Sequence, residues 1–130
     1  MIVDASALVA ILLEEPEGHR LDEAIVDADS CSISAASLLE ASMVLLSRKG
    51  EGAVADLDLQ IHRFGMQVAP FTASQARIAR EAFRRYGKGR HPAALNFGDC
   101  MSYALARETG EELLFQGTDF SQTDVAVAAY

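Results

Sequence analysis

The sequence predicts an α/β domain with a central parallel sheet and helices on both of its faces, on three observations. Short apolar runs of strand length alternate with longer stretches of helical period. The strongest runs, Met1–Val3 ahead of Asp4 and Leu113–Phe115, are continuously apolar, as strands covered on both faces are. The 130 residues are half hydrophobic and show no repeat, low-complexity tract or linker, so one domain spanning 1–130 can bury a core of its own.

Met1–Asp4 reads as the first strand. Ser6–Leu13 follows as a short helix ending in the acidic, proline-punctuated Glu14-Glu15-Pro16-Glu17-Gly18. Gly18–Ala28 is a second helix, with Leu21, Ala24, Ile25 and Ala28 at helical spacing, and Ser30–Ser34 a polar second strand. Ser37–Arg48 is a strongly apolar helix stopped by Lys49-Gly50, and Glu51–Phe64 repeats Val54, Leu57, Ile61 and Phe64 on one face. Met66–Phe71 is a third strand, with Pro70 marking its end or an edge. Thr72-Ala73-Ser74-Gln75 has the form of a capping box for a helix reaching Tyr86. An irregular loop follows at Gly87–Pro92, then a helix opened by Gly98-Asp99 and running through Arg107. Leu113–Phe115 is a buried strand, and Val125–Tyr130 is expected to be a last short one.

This order has a consequence for four acids. Asp4 and Asp119 follow strands, so parallel strands put both at the carboxyl edge of the sheet, where open α/β sheets bind ligands. Asp99 opens the helix leading back into Leu113–Phe115, and Glu40 lies early in the helix after the second strand, which brings both to the same edge. Like charges so placed raise one another's pKa unless a cation neutralises them. No lysine adjoins any of the four, and hard, oxygen-liganded Mg²⁺ or Mn²⁺ fits such a set. Each acid also has a plainer reading. Asp4 and Asp99 are competent helix caps, Ser37-Leu38-Leu39-Glu40 matches a capping box unless the helix starts near Ser34 and Glu40 points out of its second turn, and Asp119 and Asp124 suit turns. Ser6 and Thr118 flank two of the acids, with hydroxyls suited to supporting a ligand from behind or to bonding the local backbone. His19, His62 and His91 form no zinc pattern.

The net charge of −8 argues against a general nucleic-acid binder. Yet Arg77, Arg80, Arg84, Arg85, Lys88 and Arg90 are six of the 11 basic residues and occupy one segment. Either Arg77 pairs with Glu81 on a solvated helix face, or Arg84, Lys88 and Arg90 form a positive rim that guides a polyanion towards the acids. Tyr86 and Phe97 have rings that can stack on a base, although core packing is the expectation for Phe97. Cys31 and Cys100 fit no metal spacing and are expected to be reduced core residues. No apolar run reaches membrane-spanning length and no basic stretch precedes Asp4, so a cytoplasmic protein is expected.

Val3-Asp4-Ala5-Ser6-Ala7-Leu8-Val9-Ala10, Glu40 in its apolar helix, Asn96-Phe97-Gly98-Asp99-Cys100 and Leu113-Leu114-Phe115-Gln116-Gly117-Thr118-Asp119-Phe120 together resemble PIN-domain ribonucleases, most of all the VapC-type toxins of bacterial toxin–antitoxin pairs. The resemblance runs the length of the chain, with Gln116 departing from a lysine often found at that place. It implies a three-layer α/β/α fold in which Asp4, Glu40, Asp99 and Asp119 hold one or two Mg²⁺ or Mn²⁺ ions. It implies hydrolysis of an RNA phosphodiester by metal-activated water, leaving a 5′-phosphate and a 3′-hydroxyl. It also implies a homodimer held inactive by an antitoxin whose C-terminal segment lies in the active-site groove. Two other functions share these features. An aspartyl-phosphate receiver or phosphatase uses strand-end acids, but Ser6 stands where a phosphatase has a second aspartate and Gln116 where a receiver has its lysine. A non-catalytic interaction domain can keep the same fold.

Overall fold

Strands β1 (Ile2–Val3), β2 (Ser32–Ser34), β3 (Gln67–Ala69) and β4 (Leu113–Leu114) form one sheet in the order β3-β2-β1-β4, and every pairing in it is parallel. The computed structural model describes residues 1–130. Six helices complete it: α1 (Ala5–Leu12), α2 (Gly18–Asp27), α3 (Ala35–Lys49), α4 (Glu51–Arg63), α5 (Ala73–Tyr86) and α6 (Phe97–Thr109). No helix is long and apolar enough to cross a membrane.

The sheet separates two cores. Consecutive residues of a strand point to opposite faces, and Ile2 and Leu113 accordingly join one cluster while Val3 and Leu114 join the other. The Val3 face is covered by Leu8 of α1, Leu21 and Ile25 of α2, Leu45 of α3 and Leu57 of α4. The Ile2 face is covered by Ala79, Ala82 and Tyr86 of α5 and by Cys100, Tyr103 and Ala104 of α6. Covering both faces explains why these strands are apolar throughout. Cys31 and Cys100 are buried free thiols in separate clusters.

Local chemistry sets the helix ends, and several differ from the sequence reading. Asp4 is the N-cap of α1, its Oδ2 accepting the Ser6 N–H. The start of α3 is Ser34, whose Oγ accepts from the Ala36 N–H, so the capping box read at Ser37–Glu40 does not form and Glu40 lies in the second turn. Gly50, at φ +84°, both ends α3 and begins α4, a conformation L side chains rarely adopt. Thr72 caps α5, but the Gln75 side chain turns away to Glu108, which leaves half a box. In α6 the cap is Asn96, in a complete box with Asp99, and Gly110 closes the helix. The expected final strand is reduced to a single bridge, Leu113 to Val127, flanked by the Leu113 N–H donating to the Ala126 carbonyl and the Ala128 N–H donating to the Leu113 carbonyl. A two-residue β4 offers no longer ladder to pair with.

Candidate active site

Asp4 stands where β1 becomes α1, and both of its carboxylate oxygens are held. Oδ2 accepts from the Ser6 backbone N–H at 2.9 Å and from Ser6 Oγ at 2.6 Å. Oδ1 accepts from Ser102 Oγ at 2.5 Å. Behind Asp4, Ser102 Oγ lies 2.9 Å from Ser37 Oγ, and both serines are fully buried. Ser6 Oγ also accepts the Gln116 N–H, which ties the turn after β1 to the segment leaving β4. Sequence reasoning missed Ser37 and Ser102. The available signal was the spacing from Asp99 to Ser102, which puts the two on one side of α6.

Asp99 is locked by the start of its own helix. Its Oδ2 accepts the Asn96 N–H at 2.7 Å, and its backbone N–H donates to Asn96 Oδ1 at 2.9 Å. Burial pushes its carboxyl up to about 6 against that hydrogen bond, with Asp4 and Asp119 adding to the rise. Glu40 is half-buried on α3, and its carboxylate rests directly on Gly98. A Cβ at Gly98 would lie 2.2 Å from Glu40 Oε2 and 2.3 Å from Oε1. Burial, then the charges of Asp4 and Asp99, push the Glu40 carboxyl up to about 7. Asp119 opens a short 3₁₀ turn (Asp119–Gln122) after β4 and is exposed, as is Thr118 before it, whose side chain makes no cap.

The four acids therefore share one edge of the sheet and act on one another through their charge. None of the ion pairs of the molecule involves them. Their side chains are gathered loosely, with no three of them converged as a finished set of ligands. Asp124 belongs elsewhere. It accepts from the Tyr103 hydroxyl at 2.6 Å and pairs with Arg85 and Arg107.

The basic segment divides. Arg84 is paired with Glu81 through two hydrogen bonds, which replaces the expected Arg77–Glu81 pair. Lys88 and Arg90 are exposed on the loop after α5, with the Arg90 guanidinium 5.7 Å from the Phe83 ring centroid. Tyr86 is buried. Phe97 is 81 % exposed, the reverse of the core packing expected for it, because the first turn of α6 points it away from the sheet while Leu95 and Cys100 on either side face inward.

Comparison with known proteins shows which family has this three-layer domain. The family model described as PIN domain matches residues 1–126, and the chain belongs to that family. Its relatives are of the VapC type. It is 51 % identical over 126 residues to Ribonuclease VapC of Mycolicibacterium smegmatis, covering 97 % of this chain and 98 % of that one. It is 49 % identical over 130 residues to Ribonuclease VapC30 of Mycobacterium tuberculosis, covering 99 % and 98 %. Among solved structures it resembles M. tuberculosis VapC20, a sarcin–ricin loop cleaving toxin, with a TM-score of 0.82 at 20 % identity over 99 % of this chain and 98 % of that one. The VapBC2 complex of Rickettsia felis, bound to a promoter DNA fragment, matches with a TM-score of 0.74 at 16 % identity over 97 % and 94 %.

Proposed function

We propose that this chain is a divalent-metal-dependent endoribonuclease, the toxin of a toxin–antitoxin pair acting in the cytoplasm. Asp4, Glu40, Asp99 and Asp119 are its catalytic and metal-holding carboxylates. The observation that carries this reading is the mutual charge of buried acids with no basic partner. Burial first, and then their acidic neighbours, raise Glu40 to about 7 and Asp99 to about 6. Such a group is stabilised by a cation, and an all-oxygen donor set suits Mg²⁺ or Mn²⁺. When bound, the ion supplies activation of water and stabilisation of charge on the phosphodiester.

The residues around the acids fit that use. Ser6 and Ser102 keep Asp4 from rotating into solvent; Oδ2 is taken up by its two bonds from Ser6, and Oδ1, with one bond from Ser102, keeps a lone pair for a ligand. The Asn96 N–H commits Asp99 Oδ2 to the helix start, which leaves Oδ1 free of protein donors. Ser6 thus has a positioning role at the place where a phosphatase needs a second acid. Lys88 and Arg90 supply positive charge for the RNA backbone; Arg84 contributes less, being paired with Glu81. The VapC names of the relatives support RNA as the substrate, and the complexes among the similar folds support an antitoxin as partner.

Purified protein should cut single-stranded RNA with added Mg²⁺ or Mn²⁺ and not in EDTA. Asp4→Asn and Asp99→Asn should each reduce cleavage to background while leaving the circular dichroism spectrum unchanged. Cleavage that survives both substitutions would remove the acids from the mechanism.

A further inference from the structure

Beside the acids lies a groove of about 530 Å³, within the range of about 300–1,000 Å³ usual for ligand clefts. It runs between α5 and the first turn of α6. Phe71, Phe83 and Phe97 form its aromatic walls, Cys100 and Met101 lie at its base, and Arg80 is its one charged residue. We infer that this groove is a nucleobase subsite, in which Phe97 stacks on a base of the RNA whose phosphate lies at the acids. The inference rests on the ribonuclease reading for its substrate and adds to it a residue that selects and aligns the strand.

Three observations carry it. Phe97 presents 81 % of its surface to water although both neighbouring segments are packed, and no ring of the protein stacks on it. Phe97 is followed directly by Gly98, on which the Glu40 carboxylate rests, and then by Asp99, so a ring held here borders the acids without reaching across them. The groove is apolar, but two guanidinium groups outside the ion pairs of the molecule border it, in a chain of net charge −8. Arg80 lines it and Arg90 lies over its Phe83 wall, whereas the ion pairs of this region engage Arg84 and Arg85 instead. Aromatic surface with flanking guanidinium groups suits a strand of alternating bases and phosphates. An apolar peptide or a second copy of this chain would cover the rings without calling for the arginines.

The test uses a short single-stranded RNA carrying 2-aminopurine at each position in turn, titrated with the full chain in EDTA so that no cleavage occurs. Stacking quenches its fluorescence. The wild type should quench one position, Phe97→Ala should abolish that quenching and bind about tenfold more weakly, and Phe97→Tyr should restore both. An abasic residue at the same position should weaken the wild type by a similar factor and leave Phe97→Ala unaffected. Equal quenching by wild type and Phe97→Ala overturns the inference. So does a Phe97→Ala chain that binds RNA normally but sediments at half the wild-type mass, which would assign the groove to a second copy. Cleavage with Mg²⁺ is measured separately. Cleavage without Phe97-dependent quenching overturns the subsite and keeps the nuclease. Phe97-dependent quenching without cleavage keeps the subsite and overturns the nuclease.

Discussion

Asp4 shows how much of a site can be built from one residue's hydrogen bonds. Its carboxylate caps α1, accepts two bonds from Ser6 and takes a third from Ser102, so it is oriented by the protein alone. Ser102→Ala removes the donor on Oδ1 and leaves the buried Ser37 hydroxyl without its partner. A buried polar group so stranded costs about 1–3 kcal/mol, and support residues of this kind alter metal affinity or activity about 10–100-fold when removed. Ser102→Ala is therefore expected to lower both Tm and the cleavage rate, read by thermal denaturation and by an RNA cleavage time course. A lower Tm with an unchanged rate would show Ser102 to be packing only. Asp4 was legible because an acid ending an apolar strand is conspicuous. Ser102 was not, since a serine inside Met101-Ser102-Tyr103-Ala104 looks like any helical serine until the partner from β1 is in place.

Among the elements, the meeting of α3 with α6 decides the site. Glu40 reaches it because α3 is capped by Ser34 rather than by Ser37, and because α6 offers a glycine where the carboxylate lands. Gly98→Ala puts a methyl group where the carboxylate now rests, and the side chain of Glu40, being flexible, is the part that moves. The fold should persist while Mg²⁺-dependent cleavage falls by about tenfold or more, because displacing a supporting or ligating group costs that much. Circular dichroism together with cleavage assays reads both arms, and full activity in Gly98→Ala would release Glu40 from its assigned role. Strands and helices were readable from hydrophobic period and caps, and so was the shared sheet edge that parallel topology gives the four acids, although no three of them meet at one point. What escaped depends on tertiary contacts. Val127 alone bridges to β4, and Phe97 faces water instead of the core, while the choice between Ser34 and Ser37 as the cap of α3 was open until the structure settled it on Ser34.

For the whole molecule, the clustered acids make stability depend on pH. A carboxyl raised by folding binds its proton more tightly in the folded state. Its contribution is complete below the unfolded value near 4 and is lost as pH rises through the folded value, which is about 7 for Glu40 and about 6 for Asp99. The cation-free protein should lose stability between about pH 5 and pH 7.5. Glu40→Gln should stabilise it by about 1 kcal/mol at the upper end, after allowance for solvent screening, and by almost nothing at the lower. Thermal melts in EDTA at the two pH values test this, and an equal gain at both would exclude charge repulsion as the cause. The sheet carries a further consequence, one of timing. β1 is a central strand with β4 as one neighbour, and the Asp4 N–H bonds to the Leu114 carbonyl. During synthesis at about 5–20 residues per second, Asp4 emerges first and then waits several seconds for the strand that flanks it and for Asp119 beyond. A chain released before that point lacks the β4 neighbour of β1 and lacks Asp119, so under the proposed function truncation ahead of β4 is expected to abolish RNA cleavage rather than weaken it.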